Sequence, residues 1–183
     1  MERGLRYLGF CIGLVVANAS CAMAQTQSEP KFKDQANQNQ QVAPAPQTFA
    51  DAAAARNRSQ IEASEIALAR SEEPVIQALA RDIIRDHQQA QRELVAAANE
   101  QGISIVAGSD AEQNAQIDAL RNAPYDQFGS TFLSMLAVAQ QDAIDLHTLY
   151  GDTGETGALK VHATAQLSTL RTHLVRALSA ADR

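Results

Sequence analysis

The residues of this chain best suited to chemistry are two carboxylates and two histidines, one in each of four helical stretches: Glu65, His87, Asp142 and His173. Carboxylate oxygens and imidazole nitrogens are the usual ligands of first-row transition metals, so four such groups converging inside a helix bundle would make a metal site. Di-iron bundles carry Glu-x-x-His on two helices. The matching positions here read Ile84-Arg85-Asp86-His87 and Leu170-Arg171-Thr172-His173, so both bridging glutamates are replaced by aliphatic residues. That leaves a mononuclear or degenerate metal site, or a metal-free cluster in which carboxylate and imidazole satisfy each other, as buried polar groups must. Asp86 lies about 100° around the helix from His87 and reads as a surface or helix–helix hydrogen-bonding group. His147 and His162 read as solvated flank residues.

Other chemistry is thin. There is no glycine-rich phosphate loop, no Gly-x-Ser-x-Gly elbow, no His-Glu-x-x-His and no cysteine cluster, so nothing in the sequence supports a hydrolase or nucleotide-binding reading. No catalytic residue or organic cofactor is assigned, and the leading expectation is a non-enzymatic protein that acts through binding in the cell envelope or in stress. The alternative is a metal-binding redox or metal-handling protein built on Glu65, His87, Asp142 and His173.

The elements that must position these groups follow from periodicity. From Thr48 onward nothing alternates with period two over a strand's length, and Ala is abundant. A first helix is predicted from Thr48, with Thr48 and Asp51 at capping-box spacing, to Arg70. A second starts at Pro74 and stops at Gly102. The connection from Ile103 to Pro124 holds a short helix, capped by Ser109 and Glu112, with Ile117 and Leu120 apolar. A third long helix runs from Pro124 to Gly151. A fourth, with Asp152 and Glu155 as its capping box, runs to Ala180.

Seams place the chemistry on these helices. Ile76, Ala80, Ile83, Ala90, Leu94 and Ala97 define the core face of the second helix and put His87 on it. Leu159, Ala163, Gln166, Leu170 and Ala177 do the same for His173. In the third helix Phe132, Met135, Leu136, Ala139, Ala143, Leu146 and Tyr150 form the core face with Asp142 at its edge, and in the first Ile61, Glu65 and Leu68 share a face. Short, long, short connections imply an all-α, ferritin-like four-helix bundle: two helical hairpins joined by a crossover that carries the short helix.

The N-terminus has the layout of a secretory signal. Arg3 and Arg6 precede an apolar run from Tyr7 to Ala19, and Ala22-Met23-Ala24 fits cleavage before Gln25. Spanning a bilayer takes about 20 apolar residues, so release is favoured over anchoring. Acylation at Cys21 is a rival, but Asn18 stands where such signals carry a large aliphatic residue. Cleavage would remove both cysteines, Cys11 and Cys21, leaving no disulfide or thiolate chemistry. It would also remove Glu2, Arg3 and Arg6, so basic residues fall from 15 to 13, acidic from 21 to 20, and net charge from −6 to −7. A mildly acidic chain with scattered Lys and Arg has no footprint for nucleic acid. Residues 25–47, rich in Gln, Asn and Pro, read as a flexible linker, and 48–183 as one domain. The Ala-rich first helix could pack on a second copy, so a homo-oligomer is a candidate; no other partner is named by the sequence.

The chain resembles the exported bacterial family known as domain of unknown function 4142, placed among ferritin-like folds. The resemblance is carried by Phe49 and the Ala-rich start, Glu65 followed by Ile66-Ala67-Leu68-Ala69, Val75, Ala80, Asp86-His87 and Leu94. It continues through Tyr125-Asp126 (commonly Phe-Asp), Asp142, Leu146 and His173-Leu174, over about Thr48 to Ala180. The third helix departs from it, with Gln140-Gln141-Asp142 where a His-Gln pair is frequent. The resemblance implies fold and compartment and carries no activity with it.

Overall fold

A computed structural model describes residues 42–106, 108 and 111–182. The expected signal segment, both cysteines, most of the linker and the capping residue Ser109 lie outside the described residues. The elements are α1 (Pro46–Arg70), α2 (Pro74–Glu100), a short α3 (Ala111–Asn122), a 3-10 turn (Tyr125–Gln127), α4 (Phe128–Thr153) and α5 (Ala158–Ala181). None of these helices is long and apolar enough to cross a membrane.

α1 pairs with α2 and α4 with α5; α2 then packs on α5 and α1 on α4, and α3 lies over α1 and α4. The crossover runs the length of the bundle. Gly129, at the start of α4, sits against Glu73 and Ile76 at the start of α2, whereas Gln101 just past the end of α2 reaches the start of α5. α2 and α4 therefore run parallel, each antiparallel to its hairpin partner. This is the all-α bundle of two hairpins and a long crossover that the periodicity predicts.

The helix ends differ from the sequence reading in instructive ways. α1 starts two residues early, at Pro46, whose ring pre-sets the helical φ, and its N-cap Ala45 makes no side-chain bond. Asp51 does not cap. Its carboxylate accepts from Gln47 Nε2 (3.0 Å) and from the Val106 N–H (2.7 Å), tying the crossover to α1. α4 continues through Gly151 to Thr153, and α5 is capped from another element, with the Leu159 N–H donating to Gln101 Oε1 at 2.8 Å. Arg70, at the end of α1, donates to the carbonyls of Leu120, Arg121 and Ala123 (2.9, 2.8 and 2.7 Å), satisfying the C-terminal end of α3 while lying over the Phe128 ring.

The end of α2 is a Schellman cap. Gly102 has φ +69°, the Ile103 N–H donates to the Ala98 carbonyl (2.9 Å) and the Gly102 N–H to Asn99 (3.0 Å), while Ile103 packs near Ala97 and Ala98. An L side chain is strained at that φ even though nothing crowds the site. Gly102→Ala is therefore expected to cost about 1 kcal/mol, read as a lower urea midpoint at unchanged slope.

The core is divided. One apolar cluster, at the α1–α2 turn end, holds Ile76, Leu79, Ile83, Leu120, Phe128, Phe132 and Leu136. The other, at the opposite end, holds Phe49, Ala53, Leu94, Ala98, Tyr150 and Leu159, with Phe49 stacked on Tyr150 at a centroid distance of 4.0 Å. Between them lie a small third cluster of Ala143, Ile144 and Leu170 and a set of inward-turned polar side chains.

Candidate functional site

Apart from Ser71 between α1 and α2, the buried polar groups line the middle stretch of the bundle interior: Asn57, Gln60 and Ser64 from α1, His87 from α2, Gln140 and His147 from α4, His162 and His173 from α5. All four histidines of the chain are thus inside. Each follows from helical spacing. His87 is four after Ile83, His147 four after Ala143, His162 three after Leu159 and His173 three after Leu170, so each inherits the buried face of an apolar neighbour.

His87 sits at the centre. Its Nδ1–H donates to Asn57 Oδ1 (2.9 Å), and its Nε2 accepts from Gln140 Nε2 (3.3 Å). Asn57 Nδ2 in turn donates to Gln91 Oε1 (3.2 Å) and Gln140 Nε2 to Gln60 Oε1 (3.1 Å). The Asn57 oxygen can only accept, which puts a proton on Nδ1, and the Gln140 NH2 can only donate, which leaves Nε2 bare, so the imidazole is neutral. Burial drives the His87 pKa down to about 3, with the neighbouring His173 adding to the depression. Both ring nitrogens are occupied by carboxamides.

His173 stands beside it, ring centroids 5.6 Å apart. Its Nε2–H donates to Asp86 Oδ2 (3.0 Å), and Asp86 is held from its other oxygen by Arg85 Nε (2.8 Å). Burial lowers the His173 pKa and outweighs the opposing pull of Asp86. Burial alone would raise Asp86, but hydrogen bonds from Arg85 and His173 bring it below the ordinary carboxylate value. Asp86 therefore plays the helix–helix bonding part expected of it, bridging α2 and α5.

The second pair lies between α4 and α5. His147 Nδ1–H donates to the Ala143 carbonyl (2.8 Å), and the rings of His147 and His162 are 6.1 Å apart. Phe49 meets His147 edge-on at 5.4 Å. Burial pushes both imidazoles down to about 4. The expectation that these two histidines are solvated is corrected: they are 5% and 6% exposed, because α5 lies against both α2 and α4 and buries a wider face than a single seam.

Of the four residues singled out in the sequence, the structure brings His87 and His173 together and leaves Glu65 and Asp142 on the outer surface. The inward placement expected of those carboxylates is wrong by one residue in each helix. Ser64 and Gln140 with Ala143 hold the interior positions, and a step of one residue turns a side chain by about 100°. Asp142 instead lines a polar surface cleft with Arg56, Gln60, Glu112, Gln113 and Gln116. Among the described residues no three His, Cys, Asp or Glu side chains gather closely enough to hold a metal ion. The sequence reading missed the carboxamides Asn57, Gln60 and Gln140, although each stands at i, i+3 or i+4 spacing from apolar core residues.

Several atoms in this polar lining have no hydrogen-bond partner among the described residues: Gln60 Nε2, Ser64 Oγ, Gln140 Oε1, His162 Nε2 and His173 Nδ1. A buried polar atom left unpaired costs about 1–3 kcal/mol, so such a group points to structural strain or to a ligand.

The family model described as "Domain of unknown function (DUF4142)" matches residues 31–179. No curated protein matches the sequence. Among solved structures, a DUF305 fragment from Deinococcus radiodurans is similar with a TM-score of 0.69 at 17% identity, covering 78% of this chain and 98% of that one. CopM in its Cu(I)-bound form is similar with a TM-score of 0.63 at 18% identity (74% and 94% covered). CopM in its Cu(II)-bound form gives 0.65 at 19% (77% and 98%). At these identities the likeness is one of fold.

Proposed function

Because the chain belongs to the DUF4142 family, whose description assigns no activity, we propose from the chemistry of its interior an exported, non-enzymatic binding protein whose ligand is a transition-metal ion. One observation carries this reading: all four histidines are buried as neutral imidazoles, in two pairs, and neutral imidazole is the form that ligates metal. The copper-bound CopM structures, similar in fold, favour the same class of ligand. Export is supported by the N-terminal signal layout.

The non-enzymatic part rests on His87, whose two nitrogens are taken by carboxamides and so cannot serve as a general base. A homo-oligomer remains open to sedimentation across micromolar concentrations, where a strict monomer would dismiss it.

The test is elemental analysis of untagged protein recovered from the periplasm without chelator, followed by challenge with copper, zinc, iron and manganese. At least about one ion retained per chain is expected. Less than about a tenth per chain, with no uptake on challenge, overturns metal handling and leaves protein partners as the target of binding.

A further inference from the structure

We infer that His147 on α4 and His162 on α5 form the binding site, and that it takes a soft monovalent ion of the Cu(I) type held end to end between two imidazoles. The inference rests on the metal-handling reading above and names its site.

The two pairs are not equivalent. His173 keeps an unpartnered Nδ1 while its Nε2 is bonded to Asp86, but the ring beside it, His87, has both nitrogens bonded, so that pair cannot hold an ion between two imidazoles. In His147 the Nδ1–H bond to the Ala143 carbonyl fixes the tautomer and leaves the lone pair on Nε2. A hydrogen bond from the non-ligating nitrogen to a backbone carbonyl is how metal-bound histidines are oriented. In His162 the Nε2 is buried with no hydrogen-bond partner among the described residues, and the residue is more than nine-tenths enclosed.

The spacing suits one shared ion. With a nitrogen–metal bond of about 2.0 Å, two imidazoles joined in a line have centroids about 6.3 Å apart; here they are 6.1 Å apart. Linear two-coordination leaves each ring free to turn about its own bond, so the 52° between the ring planes is no obstacle.

Charge selects the ion. The cost of taking an ion out of water rises with the square of its charge, and this site offers two neutral donors beside the apolar edge of Phe49. Glu93, held by Gln166 Nε2 at 2.8 Å, acts electrostatically on His162, so one negative charge is at hand to balance one positive. Arg56 acts on His147 with the opposite sign, which disfavours a dication further. Binding a preformed Cu(I) needs no electron transfer.

The experiment uses the untagged mature chain under anaerobic conditions, titrated with Cu(I) against a chromophoric Cu(I) chelator and, separately, with Ag(I) as a redox-inert probe. The expected result is one ion per chain, with the ring 15N resonances of His147 and His162 moving on Ag(I) addition while those of His87 and His173 stay in place. His147→Gln and His162→Gln should each weaken binding by at least about 100-fold, the upper end of what loss of an outer-shell partner does. The ring resonances are read on the unmodified chain, so the assignment survives a variant that folds poorly. Binding of one ion with those resonances unmoved and both variants unaffected overturns this site while metal handling stands. No uptake of either ion overturns this site, and metal handling falls with it when copper(II), zinc, iron and manganese are not retained either; preference for Zn(II) or Cu(II) at the same two residues overturns the monovalent assignment.

Discussion

Taking the metal-free protein from pH 7 to pH 5 is expected to remove on the order of 5 kcal/mol of stability, much of what a domain this size possesses. Burial holds His87 at about 3 and His147 and His162 at about 4 in the folded chain, all below the ordinary 6.5. The sign follows from proton counting. In the unfolded chain these imidazoles take up protons as the pH falls below 6.5, whereas in the folded chain they stay neutral, so acid favours unfolding. Their contribution is fully present above pH 6.5, declines as the pH falls toward 4 and 3, and is flat below. At pH 5 each of the three loses about 2 kcal/mol. His173, shifted the same way, adds to the loss. The lowered carboxylates Asp82 and Asp86 act below their ordinary value of 3.8 and leave this window to the histidines. Urea titrations at pH 7, 6 and 5, followed by far-UV circular dichroism, should show the midpoint dropping steeply between 6 and 5. A flat profile would mean that the imidazoles are hydrated and the polar lining is not a closed interior. A metal bound to the folded chain should raise the midpoint by a similar amount at all three pH values, since the folded imidazoles carry no proton to displace above about pH 4.

Sequence periodicity carried some helices further than others. α2 was legible because its buried and exposed positions contrast: Ile76, Ile83 and Leu94 alternate with Arg81, Arg85, Gln88 and Glu93, so His87 fell on the seam without ambiguity. α1 and α4 lack that contrast. Ala at 52–55 and again at 63 and 67 gives α1 apolar residues on several faces, and in α4 Met135, Ala137, Val138 and Ala139 surround the true seam on both sides. A phase error of one residue was then invisible, and it placed Glu65 and Asp142 inward while Ser64 and Ala143 occupy the interior. The carboxamides were passed over because hydropathy scores Asn57, Gln60 and Gln140 as surface residues, although inside the bundle they bond to His87 and to one another. Contacts such as Arg70 with the end of α3 or Gln101 with the start of α5 join residues about fifty positions apart and leave no mark in local spacing.

Replacing His87 by Ala should cost about 3–4 kcal/mol, since it removes a fully packed ring and strips Asn57 Oδ1 of its donor. The same change at exposed Glu65 or Asp142 should stay within about 0.5 kcal/mol, which separates the interior histidine from the two surface carboxylates. His87→Leu separates packing from hydrogen bonding: the volume is roughly kept, and the expected loss of about 2 kcal/mol is the penalty of the orphaned Asn57 oxygen. Asn57→Leu made alone should orphan the His87 Nδ1–H in the same way. Combined, the two leave no unpaired partner at this contact, so the double variant should be more stable than the sum of the single losses by at least about 1 kcal/mol. The cycle also reports on charge. Without one acid-sensitive imidazole, His87→Leu should lose about 2 kcal/mol less than the unmodified chain between pH 7 and pH 5, so the gap between them narrows as acid is added. Additive losses would mean that His87 is not bonded to Asn57, and a gap that does not change with pH would mean that it is not held neutral. Non-additive losses together with unchanged metal uptake in His87→Leu would divide the polar lining by role, with the His87 network fastening the two halves of the core and His147 and His162 left to bind.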